Sequence, residues 1–178
     1  MLNLVKRNNN RKKSNIQTIL SEWKDLNLED FPEIEVNKSE IEDLTKFKFK
    51  ITPHEGFWKG ATFDFIVNFP KEYPHEAPKV DCLTKIYHTN INFEGKICVS
   101  ILREGWSPVY GISTIFHAIS FLFHHPNPHD PLPNSNIPKE FEAANLLLKS
   151  KEEFQKIVTQ SLMGGYIENL KRSFPKLI

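Results

Sequence analysis

Two stretches of the chain alternate between apolar and polar side chains, and this pattern limits the possible folds more than any other feature. In 46–51 lysines alternate with phenylalanine and isoleucine, and in 62–69 every second side chain from Phe63 onward is apolar. A period of two residues is typical of a strand with one buried face. The link 53–60 contains two glycines and has the length of a hairpin loop. It therefore favours antiparallel neighbours over parallel strands joined by a helix.

Shorter signals extend this pattern on both sides. Ile34 and Val36 predict a first strand, and 79–82 predicts a fourth. Before them, apolar residues recur at helical spacing behind Ser14, which has the side chain of a good N-cap. One amphipathic helix is therefore predicted to end near Asn27, ahead of a four-stranded antiparallel meander.

The second half of the chain predicts helices. Ser113 is expected to cap a helix that continues to Phe123 and is stopped by the prolines that follow it. Two more helices are predicted over 139–148 and 151–162, and a pair of glycines then precedes a final turn or helix. The fold class is therefore α+β, with an N-terminal helix, a four-stranded antiparallel meander and three or more helices.

Length and charge favour one domain without a charge-driven partner. The chain has 178 residues and a net charge of +1, so neither nucleic acid nor a membrane surface is an expected partner. Its longest apolar stretch, 112–123, is too short and too interrupted to span a membrane. Residues 1–13 form a polar, basic tract that is expected to be a flexible arm, and 14–178 is expected to form a single core domain.

The two cysteines of the chain indicate a reducing compartment and one candidate nucleophile. They cannot form a disulfide framework, so the cytoplasm or the nucleus is the expected location. Cys82 alternates with Val80 on a predicted strand and is expected in the core. Cys98 lies in 87–110, a long irregular segment of the kind that is usually functional, and is the candidate. The alternative is that Cys98 is also only a small buried hydrophobic residue.

Three further polar residues are candidates for chemistry. Asn90 carries a carboxamide that can donate to an oxyanion, or it holds its loop through an Asx turn. His88 has no protease signature around it and is interpreted as a loop histidine that bonds the backbone. Asp130 either orients an incoming amine or is only a turn residue before Pro131.

The sequence predicts no metal and no cofactor. His124, His125 and His129 lie close together in the sequence, but adjacent histidines seldom point at one metal, and neither cysteine has a ligand spacing to them. The glycine pair at 164–165 is isolated, and the chain contains no phosphate-binding glycine motif.

The segments around Cys98 resemble the active-site signature of ubiquitin-conjugating enzymes. That signature is His-Pro-Asn, a nucleophilic cysteine eight residues after the Asn, and a following Trp-x-Pro. Here 87–91 reads Tyr-His-Thr-Asn-Ile, Cys98 follows Asn90 by eight residues, and 106–108 reads Trp-Ser-Pro. The segments 73–78 and 126–132 are also similar to loops of that family, and the resemblance extends from residue 16 to residue 167.

Within that family the chain is most similar to the neddylation branch, which conjugates a ubiquitin-like modifier chiefly to cullins. Three segments carry this similarity: His-Glu-Gly-Phe at 54–57, Ile-Leu-Arg-Glu at 101–104 and Ser-Leu-Met-Gly-Gly-Tyr-Ile at 161–167. The arm also resembles the extension of that branch, because it opens with methionine and apolar residues at alternate positions.

Two features depart from the family pattern. Thr89 stands where the family has proline, which removes a fixed φ angle and leaves the Asn90 loop less pre-organised. The segment 133–141 is several residues longer than in the neddylation branch, and it is expected to lengthen a surface loop near Asp130.

The resemblance implies a transferase that accepts a ubiquitin-like modifier from its activating enzyme as a thioester on Cys98 and passes it to a substrate lysine on cullins. It implies an oxyanion role for Asn90, orientation of the lysine by Asp130 and a supporting role for His88. Two alternatives remain open. The cargo is ubiquitin itself, or the chain is a catalytically weak binding module.

The resemblance also implies where partners bind. The first helix and the arm are expected to meet the activating enzyme, and the first methionine is expected to enter a pocket of a co-ligase. The loops around Pro74 and 106–108 are expected to meet a RING-type ligase. The expected partner-binding residues are Met1, Leu2, Leu4, Pro74, Trp106 and Pro108.

Overall fold

A four-stranded antiparallel sheet forms the centre of the computed structural model, which describes residues 15–37, 41–134 and 137–178. Its strands are β1 (Ile34–Glu35), β2 (Lys46–Ile51), β3 (Phe63–Asn68) and β4 (Lys79–Cys82), and they are neighbours in chain order. The register pairs Phe49 with Phe65 and Ile51 with Phe63, so the apolar side chains of β2 and β3 share one face. The predicted meander is confirmed.

The described residues contain four α-helices: α1 (15–25), α2 (Ile112–His124), α3 (Ala143–Lys149) and α4 (Lys151–Met163). Phe116 of α2 packs on Phe49, with ring centroids 5.0 Å apart, and Trp23 of α1 packs on Phe47, at 4.7 Å. Aromatic pairs of this kind bury large apolar areas. Helices α1 and α2 therefore supply side chains to the core beside the buried face of the sheet, and the predicted α+β class is confirmed.

The prediction that Ser113 caps α2 is wrong. The N-cap is Gly111, and Ser113 lies inside the first turn. The backbone N–H of Ile112 donates to the carboxylate of Glu22 in α1 over 3.1 Å. A side chain from another helix thus satisfies one of the N-terminal donors that a local cap would otherwise serve.

Two predicted elements near the C-terminus differ from the structure. The segment predicted as one helix over 139–148 divides into a 3₁₀ turn, Lys139–Phe141, and α3, because Glu142 between them has an extended ψ of 131°. The last segment is a hairpin of β5 (Gly165–Ile167) and β6 (Arg172–Phe174) and not a turn or helix alone. Gly164 and Gly165 have φ angles of 82° and 97°, which a continuing helix does not allow.

Two sequence predictions lie outside the described residues. These are the N-cap at Ser14 and the arm over 1–13. In the part of the chain that the structure describes, no helix combines the length and the apolar composition needed to cross a membrane.

Candidate active site

Buried aromatic residues fix the beginning of the irregular segment to the core. Trp58, in the loop between β2 and β3, is fully buried, and its indole N–H donates to the carbonyl of Tyr87 over 3.1 Å. The hydroxyl of Tyr87 donates to the carbonyl of Phe141 over 2.8 Å. The beginning of the irregular segment is therefore bonded to the loop between β2 and β3 on one side and to the 3₁₀ turn Lys139–Phe141 on the other.

His88 is buried, and both of its ring nitrogens are bonded to the backbone. It is fully buried, its ring stacks on Trp58, and burial lowers its pKa to about 3, so the imidazole is neutral near pH 7. Its Nδ1 accepts the backbone N–H of Asn90 over 2.9 Å, which leaves Nε2 to donate to the carbonyl of Leu122 at 3.1 Å. The interpretation of His88 as a loop histidine that bonds the backbone agrees with this geometry.

Asn90 braces a second loop through its side chain. The carboxamide is buried, and its NH₂ group donates to the carbonyls of Asn127 and Asp130 over 2.9 and 2.8 Å. Its Oδ1 accepts the N–H of Asn127 over 2.8 Å and the hydroxyl of Thr89 over 2.6 Å. Both side-chain N–H groups thus serve backbone carbonyls, which is the loop-holding alternative that the sequence left open. The oxyanion role of Asn90 stays a prediction.

Cys98 lies beside this braced loop. Its backbone N–H donates to the carbonyl of Asn90 over 2.8 Å, next to a bridge between Ile91 and Ile97. The residue is only 5% exposed, but unlike Cys82 it is not part of the continuous hydrophobic core. Its surroundings include the exposed side chains of Arg103 and Asp130. The sulfur therefore lies at the polar edge of the domain and not within its apolar centre.

The charges around Cys98 oppose one another. Burial raises the pKa of its thiol, the nearby charge of Arg103 lowers it, and the charge and hydrogen bonding of Asp130 raise it again. The net effect is a pKa above the usual value, so the thiol is mostly protonated near pH 7. Burial raises the pKa of Cys82 to about 12, as expected for a core thiol without chemistry.

Arg103 is the site residue for which sequence reasoning predicted no role. Its guanidinium lies 3.1 Å from the carboxylate of Asp130, and both side chains are about half exposed. The structure therefore places Cys98 beside Asn90 and Asp130, and adds a cation that pairs with the carboxylate. The only signal in the sequence was the position of Arg103 in the run 101–104 after Cys98, which indicates a resemblance and not a partner.

The loops expected to meet a ligase lie next to each other. The indole N–H of Trp106 donates to the carbonyl of Pro74 over 2.8 Å, and Pro108 is exposed. The hydroxyl of Tyr73 donates to the carboxylate of Glu22 over 2.7 Å, so these loops are joined to α1. Met1, Leu2 and Leu4 lie outside the described residues.

Asn134, in the segment 133–141, is bonded to neighbouring parts of the domain. Asn134 accepts the N–H of Phe93 over 2.6 Å, and the N–H of Asn134 donates to the carboxylate of Glu142 over 3.2 Å. The described part of this segment therefore does not project freely from the domain. Over the described residues, no three side chains of the metal-ligating types form a group that would hold an ion.

Comparison with known proteins gives a consistent result. The family model described as "Ubiquitin-conjugating enzyme" matches residues 16–162. A protein of Dictyostelium discoideum named "NEDD8-conjugating enzyme Ubc12" is 43% identical over 143 residues, which are 80% of this chain and 58% of that protein. One of Drosophila melanogaster named "Nedd8-conjugating enzyme UbcE2M" is 42% identical over 125 residues, which are 70% of this chain and 65% of that protein. The chain thus spans less than two thirds of these two relatives.

A solved structure agrees with the sequence relatives. That of "S. cerevisiae Ubc12" has a TM-score of 0.80 and 31% identity, and the match covers 99% of this chain and 96% of that one. The matched segment includes the sheet, helix α2 and the braced loops around Cys98. The resemblance that the sequence indicated is confirmed, and the chain belongs to the ubiquitin-conjugating enzyme family.

Proposed function

We propose that this chain is a conjugating enzyme of the neddylation type, which carries a ubiquitin-like modifier as a thioester on Cys98 and transfers it to a substrate lysine. The observation that carries the proposal is the position of Cys98 at a polar edge, bonded to the backbone of Asn90 and beside Asp130. The cargo is inferred from relatives named as NEDD8-conjugating enzymes. Cullins are the proposed substrate on the family resemblance alone. These names favour that modifier over ubiquitin.

The first step is an exchange of thioesters. The thiolate of Cys98 attacks the carbonyl carbon of the thioester on the activating enzyme, a new S–C bond forms, and the old thiolate leaves. A thiolate is both the nucleophile and the leaving group, so this step needs no dedicated acid or base. The proton of the Cys98 thiol, whose pKa is raised, passes to solvent or to a group of the partner.

The second step is attack by a lysine amine, and it needs more help. A lysine is protonated near pH 7, so its amine must lose a proton before nitrogen attacks the acyl carbon and the Cys98 thiolate leaves. The half-exposed carboxylate of Asp130 is the proposed group that orients the ammonium, whose proton passes to solvent before attack. Arg103 pairs with this carboxylate and holds it in place. For Asn90 to stabilise the oxyanion, one of its two N–H groups would have to leave its backbone carbonyl and donate to the reacting oxygen instead.

The proposed partners follow from the same family resemblance. The activating enzyme binds the face of α1 and the arm, where Leu2 and Leu4 accompany Met1, and Met1 also serves the co-ligase. A RING-type ligase binds the adjoining loops of Pro74 and Trp106, with Pro108 at their exposed end. Cullin is the acceptor, neither nucleic acid nor a membrane takes part, and the proposed location is the cytoplasm or the nucleus.

A paired charging assay tests the function. The protein is incubated with ATP in two parallel reactions. One contains the neddylation modifier and its activating enzyme, and the other contains ubiquitin and the ubiquitin-activating enzyme. We expect a reductant-sensitive adduct only with the first pair, its loss in Cys98→Ala, and its retention in the matched variant Cys82→Ala. Charging with ubiquitin alone would change the assigned cargo, and the absence of any adduct would leave the binding-module alternative.

A further inference from the structure

Thr89, which stands where the family has proline, makes a buried hydrogen bond that proline has no group to make. Its side chain is 1% exposed, and its hydroxyl donates to Oδ1 of Asn90 over 2.6 Å. Its carbonyl accepts the N–H of Leu132 over 2.9 Å. Thr89 therefore contacts both the Asn90 side chain and the loop that contains Asp130.

The hydroxyl of Thr89 adds a buried hydrogen bond to one orientation of the Asn90 carboxamide. The N–H of Asn127 can only donate and the carbonyls of Asn127 and Asp130 can only accept, so these groups determine which end of the carboxamide faces them, and the Thr89 hydroxyl donates to Oδ1 in that orientation. With Oδ1 held toward Thr89 and the N–H of Asn127, the two N–H groups of Asn90 must face the carbonyls of Asn127 and Asp130, where they are found. The bond is short and buried, so little water competes for either group.

We propose that Thr89 is a positioning residue for lysine transfer, acting through Asn90. Its hydroxyl holds the carboxamide, the carboxamide holds the backbone of the loop 127–130, and this loop places the carboxylate of Asp130 beside Cys98. A hydrogen bond thus supplies the order that a proline ring supplies in other family members. The inference rests on the proposed function, because lysine transfer is the step that it affects.

The test measures the discharge of the Cys98 thioester to free lysine in a single turnover, from protein charged beforehand. Thr89→Val keeps the side-chain shape and removes the hydroxyl, and it is expected to slow discharge by about threefold to tenfold. Thr89→Ser restores a donor and is expected to stay within about twofold of the unaltered protein. The control Thr62→Val breaks a hydroxyl pair with Thr52 (2.9 Å), between the end of β2 and the start of β3, and should not change discharge.

Coupling to Asn90 separates positioning from general loss of structure. If Thr89 acts through Asn90, adding Thr89→Val to Asn90→Ala slows discharge by less than about twofold further, because residues in one hydrogen-bond network are not additive. In the uncharged protein, Thr89→Val should also change the NMR signals of the Asn90 carboxamide and speed its hydrogen exchange, whereas Thr89→Ser should not.

Three results would overturn the proposal: discharge by Thr89→Val at the unaltered rate, Thr89→Ser as slow as Thr89→Val, or full additivity with Asn90→Ala. Failure of the unaltered protein to form any thioester is a different result, because it refutes the proposed function. The carboxamide signals then still decide whether Thr89 positions Asn90, since unchanged signals in Thr89→Val would refute that contact.

Discussion

Among single residues, Asp130 has two opposed effects on the proposed reaction. Its charge and hydrogen bonding raise the pKa of the Cys98 thiol, which lowers the fraction of reactive thiolate. The same carboxylate is the proposed group that orients the lysine amine. Formation of the nucleophile and transfer to lysine therefore make opposite demands on one side chain, and Arg103 reduces the conflict by pairing with it.

Asp130→Asn tests this opposition. Removing the negative charge lowers the pKa of Cys98 and leaves Arg103 only its contact with Glu104 at 3.7 Å, so we expect alkylation of the thiol near pH 8 to become about twofold to fivefold faster. Lysine discharge should become at least about threefold slower, because the ammonium loses its partner. The control Asp81→Asn removes a carboxylate that pairs with Lys96 at 2.7 Å and is not among the charges acting on Cys98. Both rates moving in the same direction would contradict the assignment.

The residues of the site differ in how far the sequence alone could reveal them. Cys98, Asn90 and Asp130 could be proposed because their side chains have recognisable chemistry, and the spacing of Cys98 and Asn90 also matches a family signature. Arg103 and the hydroxyl of Thr89 acquire roles only from partners, and the partner of Arg103 is 27 residues away in the chain. The sequence pattern alone does not show that side chains so far apart in the chain come into contact.

Among the strands and helices, the sequence predicted those features that depend on the burial pattern of neighbouring residues. The alternation in β2 and β3 predicted their pairing, because burial of one face dictates a period of two. The start of α2 could not be predicted, since its first N–H is satisfied by Glu22, 90 residues earlier. The final hairpin was missed because the glycine pair signals a break and not the element that follows it.

The turn that carries Cys98 away from the sheet depends on Gly95. Its φ angle is 78°, its carbonyl accepts the N–H of Cys82 over 2.8 Å, and a Cβ at this position would collide with the carbonyl oxygen of Cys82. The turn 91–97 therefore packs closely against the end of β4. Only glycine allows both the φ angle and this close approach.

Comparing Gly95→Ala with Gly60→Ala separates the cost of a positive φ angle from the cost of the backbone collision. Gly60 has a φ angle of 79° but no atom within 4 Å of the added Cβ, so its replacement should cost about 1–2 kcal/mol of the free energy of unfolding, from conformation alone. Gly95→Ala adds a backbone collision and should cost at least about 2 kcal/mol more. Urea unfolding measures both values, and equal losses would mean that the turn can move away from β4 without penalty.

At the scale of the whole molecule, the expected surfaces for two large partners adjoin. Glu22 of α1 is bonded to Tyr73, and the neighbouring Pro74 accepts a hydrogen bond from Trp106 in the other ligase loop. The proposed binding face for the activating enzyme is thus joined by direct contacts to the proposed binding face for the ligase. Two protein-sized partners with adjoining contact areas on a domain of this size exclude each other, since a standard interface covers about 800 Å² on each partner.

Mutual exclusion predicts that a RING-type ligase inhibits charging competitively. With the RING domain present at five times its Kd, the concentration of uncharged protein needed for half-maximal charging should rise about sixfold, because only the free fraction binds the activating enzyme. The maximal charging rate should not change. Pro108→Ala, in the exposed part of the ligase loop, should relieve the inhibition, whereas Leu148→Ala, at an exposed position of α3, should not. If saturating ligase leaves the rate unchanged at low protein concentration, both partners bind together, and the molecule does not have to release the ligase before each new round of charging.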